Sequence, residues 1–187
     1  MKTDSLARLA GIGTIVLAGA AFLLPLVPFW PGEKVVGWLL ISAGILEVAA
    51  ALARSSGDRT PALLIGLATM LSGLLFILNV AVGFLAAVHI VMGWLFARVA
   101  LILYRGYRAA GSARVVLWAG ASADLLLALV LLLGLHISTL VVVIFGPTSE
   151  LVASFALVFA ASFFVSGVMI LMLARDRDDR SVQVANS

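Results

Sequence analysis

The chain contains no cysteine. That excludes disulfides, thiolate metal sites and a cysteine nucleophile, and it leaves the compartment open. Charge is also scarce. Only 11% of the residues are charged, against about 25% in a soluble domain. Histidine is limited to His89 and His136, and two histidines without partner carboxylates make a poor metal site. No HExxH pair, no phosphate-binding loop and no defensible Ser-His-Asp set occurs. The polar stretches are too short to form a soluble domain. These absences argue against an enzyme, and no metal or cofactor is expected.

What the chain has in abundance is apolar length. Its 187 residues are 64% hydrophobic, with a mean hydropathy of +1.22. A water-soluble core of this composition would leave too little polar surface, so lipid is the natural solvent. A spanning helix needs about 20 mostly apolar residues, and six fit with short connections. The net charge of +3 and pI near 10 do not point to nucleic acid. The basic residues sit at the ends of the apolar runs, where anionic headgroups meet them.

The expected fold is all-α, a polytopic membrane protein with six transmembrane helices arranged as three helical hairpins. The first helix is read over about 6–27. Lys2 and Arg8 ahead of an apolar run also resemble a signal peptide, but the run continues to Val27 and pairs with the next. Pro25, Pro28 and Pro31 punctuate the outer turn. The second helix is read over 34–53, followed by a charged loop, 54–61. Thr60 is the expected N-cap of a third helix over 61–78, with Pro61 in its first turn. A short outer turn at 79–83 leads to a fourth helix over 84–104 and a loop over 105–112. The fifth helix is read over 113–135. The β-branched stretch 136–147 is ambiguous, and a break near Gly134 to His136 is expected. A sixth helix over 149–174 precedes a polar, frayed tail. The hairpins thus run over about 6–54, 61–105 and 113–175 within one transmembrane domain, with 176–187 as the tail.

Ten of the twelve Lys and Arg residues fall on one side of this ladder. They are Lys2, Arg8, Arg54, Arg59, Arg105, Arg108, Arg114, Arg175, Arg177 and Arg180. Lys34 alone lies on the other side, and Arg98 lies inside a segment. Because short cytoplasmic loops retain positive charge, both termini are expected in the cytoplasm. Each return helix ends in an arginine (Arg54, Arg105, Arg175) and carries a mid-segment glycine (Gly44, Gly93, Gly167). That repetition suggests duplication of a two-helix unit.

The first hairpin carries a family resemblance. Trp30-Pro31-Gly32, followed by Val36-Gly37-Trp38-Leu39-Leu40-Ile41-Ser42-Ala43-Gly44-Ile45-Leu46-Glu47, resembles the repeat of the HdeD family of bacterial membrane proteins. The second hairpin shares Gly83 and Gly93 with it, and the third shares little. The resemblance implies six helices, a bacterial inner-membrane location and an association with acid or envelope stress. It supplies no catalytic residues. The stretch 136–147 departs from the compact repeat.

Three ionisable groups lie within the apolar segments: Glu47, Arg98 and Asp124. Each is costly if left facing lipid. Glu47 lies seven residues before Arg54, and Arg98 lies seven before Arg105. Both helices run inward, so the two charges share a depth of roughly 10 Å. Asp124, ten residues after Arg114, lies roughly 15 Å deep and within reach of a long guanidinium stem. Three readings compete: a buried ion pair or triad that fixes helix order, an Arg98 that snorkels to the interface, and a proton or ion relay. Thr14, Ser42, Thr69, Ser72 and Ser122 are the polar side chains available to help.

His89 and His136 are the candidate pH-sensing groups. His89 lies nine residues from Arg98, on the opposite face of its helix, and is not expected to act with it. Small-residue pairs (Ala7 with Gly11, Ala62 with Gly66, Thr69 with Gly73, Gly93 with Ala97, Ala119 with Ala123) serve packing within the bundle or a homodimer seam.

The leading expectation is a non-enzymatic inner-membrane protein of HdeD type. It would act in envelope or acid stress, or as an accessory subunit of a larger membrane complex. The alternative is a small proton-coupled transporter or channel using Asp124, Glu47 and Arg98. The partners expected are the lipid bilayer and, beyond it, a larger membrane complex or a second copy.

Overall fold

A computed structural model of the protein describes residues 2–26, 32–54, 56–78, 84–132 and 150–185. Those residues are helical except for short turns, with no strand among them. The helices are α1 (Lys2–Leu23), α2 (Gly32–Leu52), α3 (Ser56–Ile77), α4 (Phe84–Arg108), α5 (Ser112–Leu132) and α6 (Glu150–Ala185). Six of them are long and apolar enough to cross a membrane. The protein is a multi-pass membrane protein whose outer surface is lipid-facing. Leu9, Val16, Leu71, Val115 and Leu126 are among its most exposed apolar side chains.

Several boundaries differ from those read in the sequence, for one physical reason. Hydropathy marks where lipid ends, not where the helix ends. α3 starts at Ser56, so Thr60 is not its N-cap and Pro61 falls inside it. Asp58 in the first turn favours that earlier start, because a carboxylate suits the positive end of a helix. α4 continues through Arg105 and Gly106 to Arg108, which shortens the expected 105–112 loop to a tight turn. Gly111 takes φ 63° in that turn, a conformation that glycine adopts without a Cβ clash. α6 continues to Ala185, so the polar tail is an extension of the helix rather than a frayed end. α1 tightens into a 3-10 turn at Leu24–Leu26, around Pro25. The stretch 136–147, with His136, lies outside the described residues.

Neighbouring helices touch in chain order, and α6 closes the ring against α1. The closest packing joins α2 to α3, α1 to α6 and α4 to α5, more than it joins the two helices of each expected hairpin. Glycine explains the first two seams. A Cβ on Gly44 would stand 2.8 Å from the Gly66 carbonyl oxygen, and one on Gly73 would stand 2.7 Å from that of Gly37. Likewise, a Cβ on Gly167 would stand 2.8 Å from the Gly11 carbonyl oxygen. Apolar side chains gain little by leaving lipid, so such close backbone approach is what associates helices in a membrane. Gly93 does not follow its expected counterparts Gly44 and Gly167. It is exposed, and a Cβ there would meet nothing.

Ala7, Ala53 and Ala174 pack together, so the start of α1, the end of α2 and the C-terminal half of α6 share one end of the bundle. That end also carries the charged turns.

Candidate functional site

The side chains of Glu47, Arg98 and Asp124 meet in the middle of the bundle. Arg98 is 1% exposed, Asp124 1% and Glu47 7%. The Arg98 guanidinium donates from Nη1 to Glu47 Oε1, from Nε to Asp124 Oδ2 at 3.1 Å and from Nη2 to Ser166 Oγ. Its Cζ lies 5.1 Å from the centroid of the Trp94 ring, a cation–π distance. Arg98 therefore does not snorkel to the interface.

The acids are held by hydroxyls as well. Ser162 donates to Asp124 Oδ1 at 2.7 Å. Thr69 Oγ1 lies 2.8 Å from Glu47 Oε2 and accepts the Trp94 indole N–H at 3.0 Å. Every polar side chain that closes the cluster is thus matched to another, as burial requires. The cluster spans five helices: Glu47 on α2, Thr69 on α3, Trp94 and Arg98 on α4, Asp124 on α5, and Ser162 and Ser166 on α6. Only α1 is missing from it, and α1 is held through its glycine crossing with α6.

Apolar packing brackets the cluster on both sides. Toward one end, Phe155, Phe159 and Phe163 repeat every fourth residue of α6, with successive centroids 5.9 Å apart. Trp94 sets its edge against Phe159 and Phe163 at 5.7 and 6.1 Å. Phe76, Leu40 and Leu95 complete that plug. Toward the arginine-rich end lie Ile65, Ile102, Leu117, Met169 and Leu173. A cavity of about 20 Å³ interrupts this second layer, between Glu47 and Arg105. One water needs about 10–15 Å³.

A second polar set lies at the arginine-rich end. Arg105 makes a two-pronged contact with Asp58, Nε to Oδ1 and Nη2 to Oδ2, both at 2.9 Å. Arg54 reaches Asp58 Oδ2 at 3.2 Å. The three residues tie the end of α2, the start of α3 and the end of α4. Sequence reading placed Asp58 in a loop and missed this role. The signal was its position in the first turn of a helix opposite two arginines at the ends of their own helices.

Other expectations fall as follows. His89 is exposed on α4, away from buried Arg98. Of the expected polar helpers, Thr69 joins the cluster. Thr14 and Ser72 instead donate to carbonyls of their own helices, those of Ala10 and Ala68. Ser122 is exposed. Ser162, Ser166 and Trp94 were missed as partners. Counting inward from Arg175 puts Ser166 and Ser162 at roughly 13 and 20 Å, the depth range of Asp124. Their i, i+4 spacing places them on one face. Among the described residues, no three His, Cys, Asp or Glu side chains group as metal ligands do.

No protein-family model matches the chain, and neither characterised proteins nor solved structures give a significant match.

Proposed function

We propose that the protein is a non-enzymatic inner-membrane protein of HdeD type, with both termini and the arginine-rich end in the cytoplasm. Its work is in envelope or acid stress, or as an accessory subunit of a larger membrane complex. One observation carries the non-enzymatic reading. The buried charged groups Glu47, Arg98 and Asp124 contact each other and neighbouring hydroxyls between two apolar layers, which supports a structural rather than a catalytic role for them. Affinity purification in mild detergent separates the two roles. A stoichiometric larger partner identifies the subunit. A deletion strain whose acid survival is unchanged removes the stress role.

A second reading, a small proton-coupled transporter or channel, draws on a different observation. Two carboxylates face one guanidinium, so one added proton would make the cluster neutral. Thr69 has a single hydroxyl proton and two acceptors in reach, Glu47 Oε2 at 2.8 Å and the Ile65 carbonyl at 3.0 Å. A proton on Glu47 would satisfy both: Glu47 would donate to Thr69, and Thr69 to Ile65. The one-water cavity between Glu47 and Arg105 would seat a water on the arginine-rich side of Glu47, as such a relay needs. Reconstituted vesicles under an imposed pH gradient test this reading. Proton flux above that of empty vesicles, lost in Glu47→Gln, supports it, and the absence of flux removes it.

A further inference from the structure

Among the described residues the α5–α6 seam is the least extensive in the ring, and it is open along its arginine-rich half. α6 is drawn toward α1 by the Gly11–Gly167 crossing. α5 borders the space left behind with Val115 and Val116 and, beyond them, with the small residues Ala119, Gly120 and Ala123. The result is an apolar groove of about 430 Å³, walled on α6 by Phe164, Val168 and Met172. Ligand sites typically occupy about 300–1,000 Å³. Phe164 and Met172 stand half-exposed at its rim.

The groove has two distinct ends. Toward the middle of the membrane it closes, because Leu127, Ala128 and Leu131 of α5 pack into the cluster that holds Phe155 and Phe159 of α6. Toward the arginine-rich end it continues, through the shared residues Val116 and Met172, into a cavity of about 230 Å³. That cavity is lined by Ser112, Arg175 and Asp176. Ser112 donates its hydroxyl to Asp176 Oδ1. From Ser112 to Ala123 the groove runs roughly 16 Å at 1.5 Å per residue. That is about half of a ~30 Å hydrocarbon core, so it serves one leaflet. A partner's spanning helix would need a seam open across both leaflets.

We propose that this groove holds an acyl chain of a phospholipid whose headgroup carries a primary ammonium. The phosphate lies at the Arg175 guanidinium, and the ammonium donates to the Asp176 carboxylate. Among the described residues the mouth offers the cation Arg175 and the anion Asp176 to a zwitterionic head, as charge complementarity requires.

Native mass spectrometry of the detergent-purified protein tests this directly. The probes are phosphatidylethanolamine, phosphatidylcholine and phosphatidylglycerol with identical acyl chains. One phosphatidylethanolamine should be retained. Phosphatidylcholine, whose quaternary ammonium has no N–H to donate, should bind about tenfold more weakly, the size of one hydrogen bond to a charged group. Asp176→Asn should remove that preference, and Arg175→Gln should weaken all three lipids. Ala119→Leu with Ala123→Leu should abolish retention whatever the head. Circular dichroism and lipid-free unfolding check that this filled variant still folds. If it does not, Asp176→Asn decides. Equal retention by a folded filled variant overturns the proposal, as does the absence of headgroup preference. A dimer that becomes a monomer on filling also overturns it, because the seam would then belong to a second copy.

Discussion

Arg98 carries unequal obligations in the cluster, because it faces two carboxylates and each carboxylate faces only one guanidinium. Removing either acid leaves a one-to-one pair. Removing the arginine leaves two acids in an apolar interior. Orphaning a buried charge costs about 3–5 kcal/mol in soluble proteins, while polar contacts within membranes measure nearer 1 kcal/mol. Arg98→Gln should therefore be the most damaging single change, lowering the unfolding temperature in detergent more than Glu47→Gln or Asp124→Asn. Adding Glu47→Gln to Arg98→Gln should recover part of the loss, since one orphaned carboxylate is then gone. Strictly additive effects would show that the two groups do not interact. At this scale Glu47, Arg98 and Asp124 were legible, because a charge in an apolar run must be answered and depth can be counted from the flanking arginines. Their hydroxyl partners were not. A serine or threonine in a helix has an alternative acceptor in its own i−4 carbonyl, which Thr14 and Ser72 use, whereas Ser162 gives its proton to Asp124 and Ser166 accepts from Arg98. Sequence spacing does not distinguish the two.

The helices pair where backbones come close, and the glycines divide sharply by that test. Gly44 lies less than one turn from Glu47 on α2 and sits against Gly66 of α3, less than one turn from Thr69. A methyl at Gly44 would have to displace Met70 and the Gly66 carbonyl, and would separate Glu47 from Thr69. Gly93 on α4 faces open space. Gly44→Ala should lower the unfolding temperature by several degrees. Gly93→Ala should leave it unchanged or raise it, because alanine gains about 0.5–1 kcal/mol over glycine within a helix. Equal responses at the two positions would mean that the α2–α3 crossing does not hold the bundle together. Element number and order were legible from apolar length and from the proline and arginine punctuation. The helix ends were less so: α3, α4 and α6 all run past the apolar segment into charged residues. Nor did the sequence reveal which neighbours pack most closely. Gly37, Gly66 and Gly73 gained their meaning only once α2 and α3 were seen to cross face to face.

For the whole molecule, sidedness follows from putting all the charged turns at one end. The bundle itself enforces that grouping: Asp58 joins the ends of α2 and α4 to the start of α3, Ser112 joins α5 to α6, and Ala7, Ala53 and Ala174 bring α1, α2 and α6 together. One orientation therefore holds for every helix. No single loop can invert without breaking these contacts. Lys34, near the start of α2, is the lone basic residue at the opposite end. In the proposed orientation, which puts the arginine-rich end in the cytoplasm, cysteines introduced at Ser56 and Ser112 should be shielded from a membrane-impermeant thiol reagent in intact cells. They should become reactive once the cells are opened. A cysteine at Gly32, at the start of α2, should react in intact cells. The chain's lack of native cysteine means that labelling reports only the introduced position. The opposite pattern at all three sites would place the arginine-rich end outside. It would also move the mouth of the α5–α6 groove to the outer leaflet. A mixed pattern between Ser56 and Ser112 is forbidden by the contacts that join the turns, so finding one would contradict the bundle itself rather than its orientation.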